Sequence, residues 1–477
     1  MPASRAANPP VASKSWRGRI NSHETFSHDS LDALGYDWER IGDPGIAPKP
    51  PFKVYLPGTA AEVGAAMREA KQLGQTLRIR SKGHSSNDLV LAEGGGVLLT
   101  HFLNRIRGVD TENLTADVEG GAITALVDDE LAESGYGLPV VGDHRDISVG
   151  GFASVGGISP ASHRFGLFID NVRELDYVDF DGELHTCSPT TDADAFYRVL
   201  AGLGRHGVIT RLRLRIIKVD KYSTIWENRQ RVFRSRADFV AGTAPLIADP
   251  GDAMMERGVW IDFARERGRH FGIGQFSTYH DTSQDAARRA LNTAAYGVLH
   301  GIGVAAGRLP ASLDRVLKYV GMAGVVASPR YASIKNIEFF TDKTLDSTVG
   351  DPTRMLIALA PVDRYEPIFA DLWDLMSGYR ERSGCFTFIG VYVKSIRSPY
   401  LATGGQDRFC ELMFYPGINP KKLPLALLDE IVEAFDDIVM AHGGYRYMHS
   451  RTTRDAAKRA VLDPNLRHAA RRAGLEP

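Results

Sequence analysis

A glycine-rich stretch constrains what this chain can fold into more than any other part of its sequence. Residues 142–171 read GDHRDISVGGFASVGGISPASHRFGLFIDN and contain six glycines without a helical repeat of apolar residues. Because glycine adopts positive φ angles and lets a backbone approach a ligand closely, such a segment can line a binding site. The same composition is typical of a surface loop, so the surrounding sequence has to decide between the two interpretations.

The sequence upstream of that stretch predicts a helix followed by a strand. Thr59 and Glu62 have the spacing of a capping box, apolar residues then repeat at helical spacing, and Gly74 ends the helix. In residues 77–80 leucine and isoleucine alternate with arginine, and this alternation predicts a strand.

A second loop rich in glycine and serine follows this strand. Residues 80–88 read RSKGHSSND, and residues 97–100 form the next predicted strand. Backbone N–H groups in a tight loop can converge on an anion, so this order of elements suits phosphate binding. The loop differs from the P-loop of nucleotide-binding proteins, because it lacks the Gly-Lys-Ser/Thr sequence. Two such loops together favour a binding site over a surface loop.

Further predicted elements complete a first unit. Asp181-Gly182 separates two strand-like runs, and this dipeptide is typical of a hairpin turn. The predicted elements are a strand at 114–119, a helix at 124–134, hairpin strands at 172–180 and 183–187, a helix at 193–200 and a strand at 207–217.

Residues 220–440 predict a second α+β domain, because the pattern changes to longer strand–helix passes. Residues 286–327 within it are rich in small residues and predict helix. The basic residues from Arg451 onward are more typical of a solvated helix face than of an anion site. The two predicted strand–helix passes are 355–360 followed by 365–379, and 388–394 with 409–415 followed by 425–441.

Composition narrows the class of protein. The chain has 477 residues, 43% hydrophobic and 24% charged, with a net charge of −1, so two or three globular domains are expected and neither nucleic acid nor an anionic membrane is expected as a partner. The three cysteines, Cys187, Cys385 and Cys410, are far apart and predict neither a disulfide framework nor a metal site, which fits the cytoplasm. Residues 1–48 predict a tail and an arm without a secretory signal, and no apolar run is long enough to span a bilayer.

Two short motifs suggest other chemistry but lack its context. Gly301, Gly303 and Ala306 have the spacing of a dinucleotide fingerprint, yet they lie in an alanine-rich helical stretch without a preceding strand. His23-Glu24 lacks the second histidine of a zinc-binding HExxH motif. We therefore expect neither a Rossmann site nor a metal.

Residues 50–217 resemble the FAD-binding domain of the vanillyl-alcohol oxidase/p-cresol methylhydroxylase (PCMH) superfamily, and within it they resemble cytokinin dehydrogenases most. The motifs that carry the resemblance are RSKGHSSND, DHRDISVGGFASVGGIS, NVRELDYVDFDGELHTCS and GLGRHGVITRLRL, in the family's order and with similar spacing. The resemblance implies an α+β fold: a PCMH-type FAD-binding domain of two α/β subdomains at 49–219, a substrate-binding α+β cap on an antiparallel sheet at 220–440, and a segment at 441–477 that returns to the FAD domain.

The resemblance also implies which residues bind FAD. His84 occupies the position at which covalently flavinylated relatives attach the cofactor, so a covalent bond to FAD is expected; the alternative is an unlinked histidine beside the flavin. The C-terminal sequence RYMHS at 446–450 resembles the family's Tyr/His segment only loosely. The residues expected to bind FAD are Ser81, Lys82, Gly83, His84, Ser85, Ser148, Gly150, Gly151, Ser154, Gly157, Ile158, Val208, Ile209 and Tyr447.

Asp143 lies where cytokinin dehydrogenases carry their catalytic aspartate. Oxidation of a C–H bond beside N–H or O–H needs a base, and a carboxylate in a dry pocket can serve. The alternative is an aspartate that caps a turn. His144, Arg145 and Asp146 replace an apolar and aromatic run of the family, so Arg145 is an expected ion-pair partner for Asp143.

These features predict an FAD-dependent oxidoreductase that takes hydride from a C–N or C–O carbon of a small or medium organic substrate. O2 or another electron acceptor would reoxidise the flavin. The sequence is also compatible with a homodimer. Cytokinin-like amine oxidation is the first alternative for the substrate; oxidation of alcohols, sugars or lactones, or natural-product tailoring, is the second. A flavin-binding partner protein without turnover is the alternative of another class.

Overall fold

Four β-sheets organise the described part of the chain. The computed structural model describes residues 34–38, 47–86, 88–264, 270–282, 329–338, 355–418 and 425–474, together with 294 and 298. Within these residues the sheets have three, five, eight and two strands. The strands are β1 (Lys53–Tyr55), β2 (Leu77–Arg80), β3 (Gly96–Leu99), β4 (Ile106–Asp110), β5 (Thr115–Glu119), β6 (Tyr136–Gly137), β7 (Val172–Val178), β8 (Leu184–Cys187), β9 (Val208–Arg215), β10 (Ile217–Lys218), β11 (Ile225–Phe233), β12 (Met255–Ala264), β13 (His270–Asp281), β14 (Tyr331–Ser333), β15 (Leu356–Pro361), β16 (Phe386–Arg397), β17 (Arg408–Ile418) and β18 (Tyr445–Arg446).

Helices pack against these sheets, and within the described residues none is long and apolar enough to cross a membrane. The three cysteines are buried. The helices are α1 (Ala60–Gln72), α2 (Thr124–Ala132), α3 (Val149–Val155), α4 (Ser162–Phe165), α5 (Ala193–Val199), α6 (Arg236–Ala248), α7 (Tyr365–Ser383), α8 (Leu425–Ala441), α9 (Ala456–Leu462) and α10 (Pro464–Arg472).

The first sheet is parallel, in the order β1-β3-β2. Helix α1 begins as predicted: the Glu62 N–H donates to Thr59 Oγ1 at 3.2 Å, and the Gly58 N–H donates to the Glu62 carboxylate at 2.6 Å. Val63 and Met67 of α1 are buried against the sheet. The predicted helix and strand are therefore confirmed.

The second sheet is antiparallel throughout, in the order β4-β5-β9-β7-β8. The predicted hairpin is confirmed, since β7 and β8 pair across the Asp181-Gly182 turn. This sheet differs from the expected second α/β subdomain. A tight turn brings the chain straight back beside itself, so strands joined in this way pair antiparallel, whereas parallel neighbours need a crossover.

The third sheet has eight antiparallel strands in the order β14-β11-β13-β12-β16-β17-β15-β18. Helices α6, α7 and α8 cover one face through a shared core. Residues of the opposite face, among them Ile357 and Met413, pack in the core of the region that contains the glycine-rich stretch. Both predicted strand–helix passes are present, and the α+β class with an antiparallel sheet is confirmed. The domain boundaries themselves remain a prediction.

One local prediction needs correction, and others fall outside the described residues. The stretch 142–171 shows no helical repeat of apolar residues and reads as loop, but it contains α3 and α4. Ser148 caps α3 by accepting the Gly151 N–H at 3.1 Å. Strands β11 to β13 were not predicted. The fingerprint-like residues 301–306, the pair 23–24 and all of 286–327 except 294 and 298 lie outside the described residues.

Candidate active site

A cavity opens between the two glycine-rich loops and the eight-stranded sheet. Its empty space, including the opening to solvent, is about 1430 Å³. Fourteen of the fifteen residues predicted for the site line this cavity. They are Ser81, Lys82, Gly83, His84, Ser85, Asp143, Ser148, Gly150, Gly151, Ser154, Ile158, Val208, Ile209 and Tyr447.

Gly157 lies behind the lining rather than in it. Its φ angle is 78°, and a Cβ atom there would overlap Phe168, so only glycine fits the backbone at this point. Its N–H donates to the Tyr447 hydroxyl at 3.2 Å. Gly157 therefore holds a residue of the lining in place.

The loop at 80–88 is anchored by a buried arginine. Arg80 is 2% exposed and donates to the carbonyl oxygens of Leu34 at 3.2 Å and Tyr36 at 2.8 Å. Burial lowers its pKa to about 10. Gly83 has a φ angle of 76°, and a Cβ atom there would come within 2.6 Å of the Arg80 guanidinium. The segment 34–38 is thereby tied to the loop.

His84 lies in a cluster of rings at the edge of the cavity. The Trp38 ring stacks on it with 4.0 Å between centroids, and the His144 ring lies 5.1 Å from both. The backbone N–H of Trp38 donates to the Ser85 carbonyl oxygen at 3.1 Å. The imidazole predicted to carry FAD is thus held by a neighbouring ring.

Several polar atoms of the cavity wall are suited to a polar ligand. The hydroxyl oxygens of Ser81, Ser85 and Thr100 are buried and have no hydrogen-bond partner among the described residues, although buried polar groups are normally paired. All three residues line the cavity beside the glycines of both loops. Donors of this kind and a closely approaching glycine backbone fit the pyrophosphate and ring oxygens of FAD.

The partner of Asp143 is Lys394, not Arg145. Lys394 Nζ contacts Asp143 Oδ2, whereas Arg145 donates to Asp129 of α2 at 2.7 Å. The predicted Arg145 pair is therefore wrong, because the Arg145 side chain extends to α2 rather than to the cavity. Asp143 Oδ1 is buried and has no hydrogen-bond partner among the described residues. One carboxylate oxygen is held and the other is available.

Lys394 also contacts Glu411, and sequence reasoning missed both residues. They lie directly opposite each other on β16 and β17, with Lys394 Nζ 2.9 Å from Glu411 Oε2. Lys394 is 2% and Glu411 3% exposed, and both line the cavity. Burial raises the pKa of Glu411. Burial opposes the charge of Lys394, but the carboxylates of Asp143 and Glu411 outweigh it and raise the pKa of Lys394.

Asp146 is separated from Asp143 by its own ion pair. Its carboxylate accepts from Lys82 Nζ at 2.8 Å and is about half exposed, and Asp146 is not part of the cavity lining. The two aspartates therefore have different surroundings, with Asp143 alone at the cavity.

The segment after β18 closes the cavity from the C-terminal side. The Ser86 N–H donates to the His449 carbonyl at 2.9 Å, which joins this segment to the loop at 80–88. Burial raises the pKa of Tyr447 and lowers that of His449 to about 3. Both side chains are thus neutral near neutral pH.

Comparisons with known proteins find an FAD-binding domain in the part of the chain that carries both glycine-rich loops. Residues 51–188 match the family of FAD-binding domains. The chain is 35% identical over 171 residues to an uncharacterized oxidoreductase of the fasciation locus of Rhodococcoides fascians, which covers 36% of this chain and 38% of that protein. It is 30% identical over 221 residues to cytokinin dehydrogenase 3 of Arabidopsis thaliana, covering 42% of each chain.

A longer match, 30% identical over 280 residues, is to cytokinin dehydrogenase 1 of Oryza sativa subsp. japonica and covers 55% of this chain and 52% of that protein. The chain thus spans roughly two fifths of the length of the first two relatives. Within the described residues no group of three or more potential ligands could hold a metal ion. Residues 51–188 therefore belong to the family of FAD-binding domains, and over the matched region the chain is similar to cytokinin dehydrogenases.

Proposed function

We propose that the chain oxidises a small or medium organic substrate at a carbon bonded to nitrogen or oxygen, in the manner of a cytokinin dehydrogenase. The observation that carries this proposal is Asp143: its Oδ1 is buried and open for a proton, in a cavity lined by the residues expected to bind FAD. A base is needed beside the flavin, because hydride loss from carbon must be accompanied by loss of the N–H or O–H proton.

FAD, when bound, supplies the two-electron acceptor for the hydride that leaves the substrate carbon. Asp143 accepts the proton from the substrate nitrogen or oxygen, so the substrate leaves as an imine or a carbonyl compound. Lys394 holds the other carboxylate oxygen and fixes the direction in which Oδ1 points. O2 or another two-electron acceptor completes the cycle.

The eight-stranded sheet contributes apolar side chains to the cavity besides Lys394 and Glu411. Met355, Ile357 and Met413, from β15 and β17 or next to them, line it and are buried. These side chains would contact the apolar part of the substrate.

We propose further that His84 carries FAD covalently. The ring stacking with Trp38 supports this proposal, since it fixes the imidazole at the edge of the cavity. A fixed imidazole has less freedom to lose when a bond to the cofactor forms.

The test has two steps. Mass spectrometry of the flavin released from the purified protein, or of flavin-bearing peptides, should identify FAD. Anaerobic mixing with a panel of secondary amines, alcohols, sugars and lactones should then bleach the flavin absorbance with at least one class. A colourless protein that cannot be reconstituted with FAD contradicts the cofactor assignment. Bound FAD that no substrate reduces favours the non-catalytic alternative.

A further inference from the structure

One buried ammonium group in the cavity wall is shared by two carboxylates. Lys394 Nζ contacts Asp143 from the glycine-rich stretch and Glu411 from the neighbouring strand. The Lys394–Glu411 contact is set by strand register, because the two residues are cross-strand neighbours on β16 and β17. The contact with Asp143 instead joins the sheet to a loop 251 residues away in sequence.

The second carboxylate partner of Lys394 becomes important when Asp143 takes up a proton. Protonation makes its carboxyl neutral, and Lys394, 2% exposed, then loses one of its two counter-ions. A buried cation without a partner is strongly unfavourable, so an Asp143–Lys394 pair standing alone would resist protonation of Asp143. With Glu411 at 2.9 Å, the ammonium keeps a carboxylate partner.

We propose that Glu411 is a positioning residue that enables Asp143 to act as the base, because it remains the counter-ion of Lys394 while Asp143 is protonated. This inference rests on the proposed function of Asp143. No bond is made or broken at Glu411. The proton moves from the substrate to Asp143 Oδ1, and Lys394 is then left with one ionised carboxylate partner, Glu411.

Burial favours the neutral form of four other titratable groups near this cluster. Burial raises the pKa of Tyr392 on β16 and of Tyr447 after β18, and it lowers that of His449. Burial also raises the pKa of Glu256 on β12, near Lys394, to about 8. His144 adjoins Asp143 in sequence, and the charged side chains nearby include Arg257, which acts on Tyr392, and Arg446, which acts on His449.

The test compares Glu411→Gln with Lys394→Met in the FAD-loaded protein. Anaerobic stopped-flow reduction over a range of pH gives the midpoint below which flavin reduction is lost. Glu411→Gln removes a negative charge near Asp143, so the midpoint should fall by about 1–3 pH units and the plateau rate should drop because the base is weaker. Lys394→Met should raise the midpoint by a similar amount, and the double variant should return it towards the wild-type value.

A second readout does not depend on turnover. Infrared difference spectra over the same pH range, with Asp143→Asn as the reference, report the protonation of Asp143 directly. Opposite shifts in the two single variants support the inference even if no substrate reduces the flavin, which would count against the proposed function alone. A Glu411→Gln midpoint that is unchanged or raised overturns the inference. Because glutamine is isosteric with glutamate, this variant decides the question even if Lys394→Met fails to fold.

Discussion

The two oxygens of the Asp143 carboxylate have different surroundings. Oδ2 is held by Lys394, and Oδ1 is buried at the cavity without a hydrogen-bond partner among the described residues. A general base has to be both ionised and aimed at the proton that it takes. In the proposed reaction, the Lys394 ammonium aims the carboxylate by holding Oδ2.

Replacement of Asp143 by asparagine should retain the cofactor but remove the base. We expect Asp143→Asn to bind FAD with a nearly unchanged visible spectrum and to lose flavin-reduction rate by about 10²–10⁴. Anaerobic stopped-flow absorbance measures this rate apart from reoxidation. The matched control is Asp146→Asn, which breaks only a half-exposed pair with Lys82 and should cost much less. Reduction of Asp143→Asn at the wild-type rate would mean that the aspartate is structural.

The proposed bond between His84 and the flavin can be tested by denaturation. Acid-precipitated wild-type protein should keep its flavin fluorescence in the pellet, and His84→Ala should release FAD into the supernatant while its fold is retained. His185→Ala is a suitable control, because this histidine lies on β8 and pairs with Asp179 away from the cavity. Complete extraction of flavin from the wild-type protein would exclude the covalent bond but not a role for His84 in lining the site.

Sequence motifs found one side of the cavity and missed the other for a physical reason. The two loops carry their signal locally, in glycine spacing, so their residues could be assigned from a short stretch of chain. Lys394 and Glu411 become neighbours only through the pairing of β16 with β17, which a local pattern does not contain. A signal was present: each is a charged residue in an otherwise apolar strand, in VYVKSI and FCELMF, where an unpaired charge would be unfavourable.

At the scale of elements, the sequence predicts those that depend on local patterns and misses those that depend on tertiary packing. Helix α1 and the β7–β8 hairpin were predicted because a capping box and an Asp-Gly turn act within a few residues. Strands β11 and β12 escaped prediction because charged residues such as Arg229 and Asp262 interrupt their apolar pattern. Helix α3 was missed because glycine in its first turn disfavours helix by propensity, while the Ser148 cap and tertiary packing favour it.

The short strand β18 is held by a buried ion pair that should control flavin retention. Arg446 contacts Asp436 of α8, and both side chains are fully buried. Arg446→Ala should lower the free energy of unfolding by about 3–5 kcal/mol, because it leaves the Asp436 charge unpaired. It should also weaken FAD binding, since Tyr447 and His449 follow directly and line the cavity. Chemical denaturation and flavin release measure the two effects.

The control for this pair is a surface ion pair of the same type. Arg472 of α10 donates to Asp194 at 2.5 Å, with both side chains substantially exposed. Arg472→Ala should cost only about 0–1 kcal/mol and leave FAD bound. Equal effects of the two substitutions would show that Arg446 does not anchor the segment.

At the scale of the whole molecule, a single buried carboxyl should make stability depend on pH. Glu256 on β12 accepts the Ser395 N–H at 2.6 Å, and burial raises its pKa to about 8. The unfolded chain releases this proton near its ordinary pKa of 4.5, so between these values the folded state binds more protons. Stability from this group is therefore complete below pH 4.5 and falls as pH rises towards 8, by up to about 1.4 kcal/mol per pH unit.

Glu256→Gln should remove that part of the slope, because glutamine is neutral at every pH. The measurement is the free energy of unfolding of wild type and variant, with FAD bound, at several pH values on both sides of neutrality. The difference between the two proteins should favour the variant increasingly as pH rises. Parallel curves would mean that Glu256 is ionised in the folded protein.

Because side chains alternate between the two faces along β16 and β17, the position of Lys394 at the cavity depends on the number of residues in the strand. Val391 and Val393 pack in the core beneath the helices, whereas Lys394 belongs to the opposite face. Inserting or deleting one residue upstream in β16 would rotate every later side chain to the other face and place an ammonium group among the helices. Insertions should therefore be better tolerated in the turns between strands than within β16 or β17, which line the cavity.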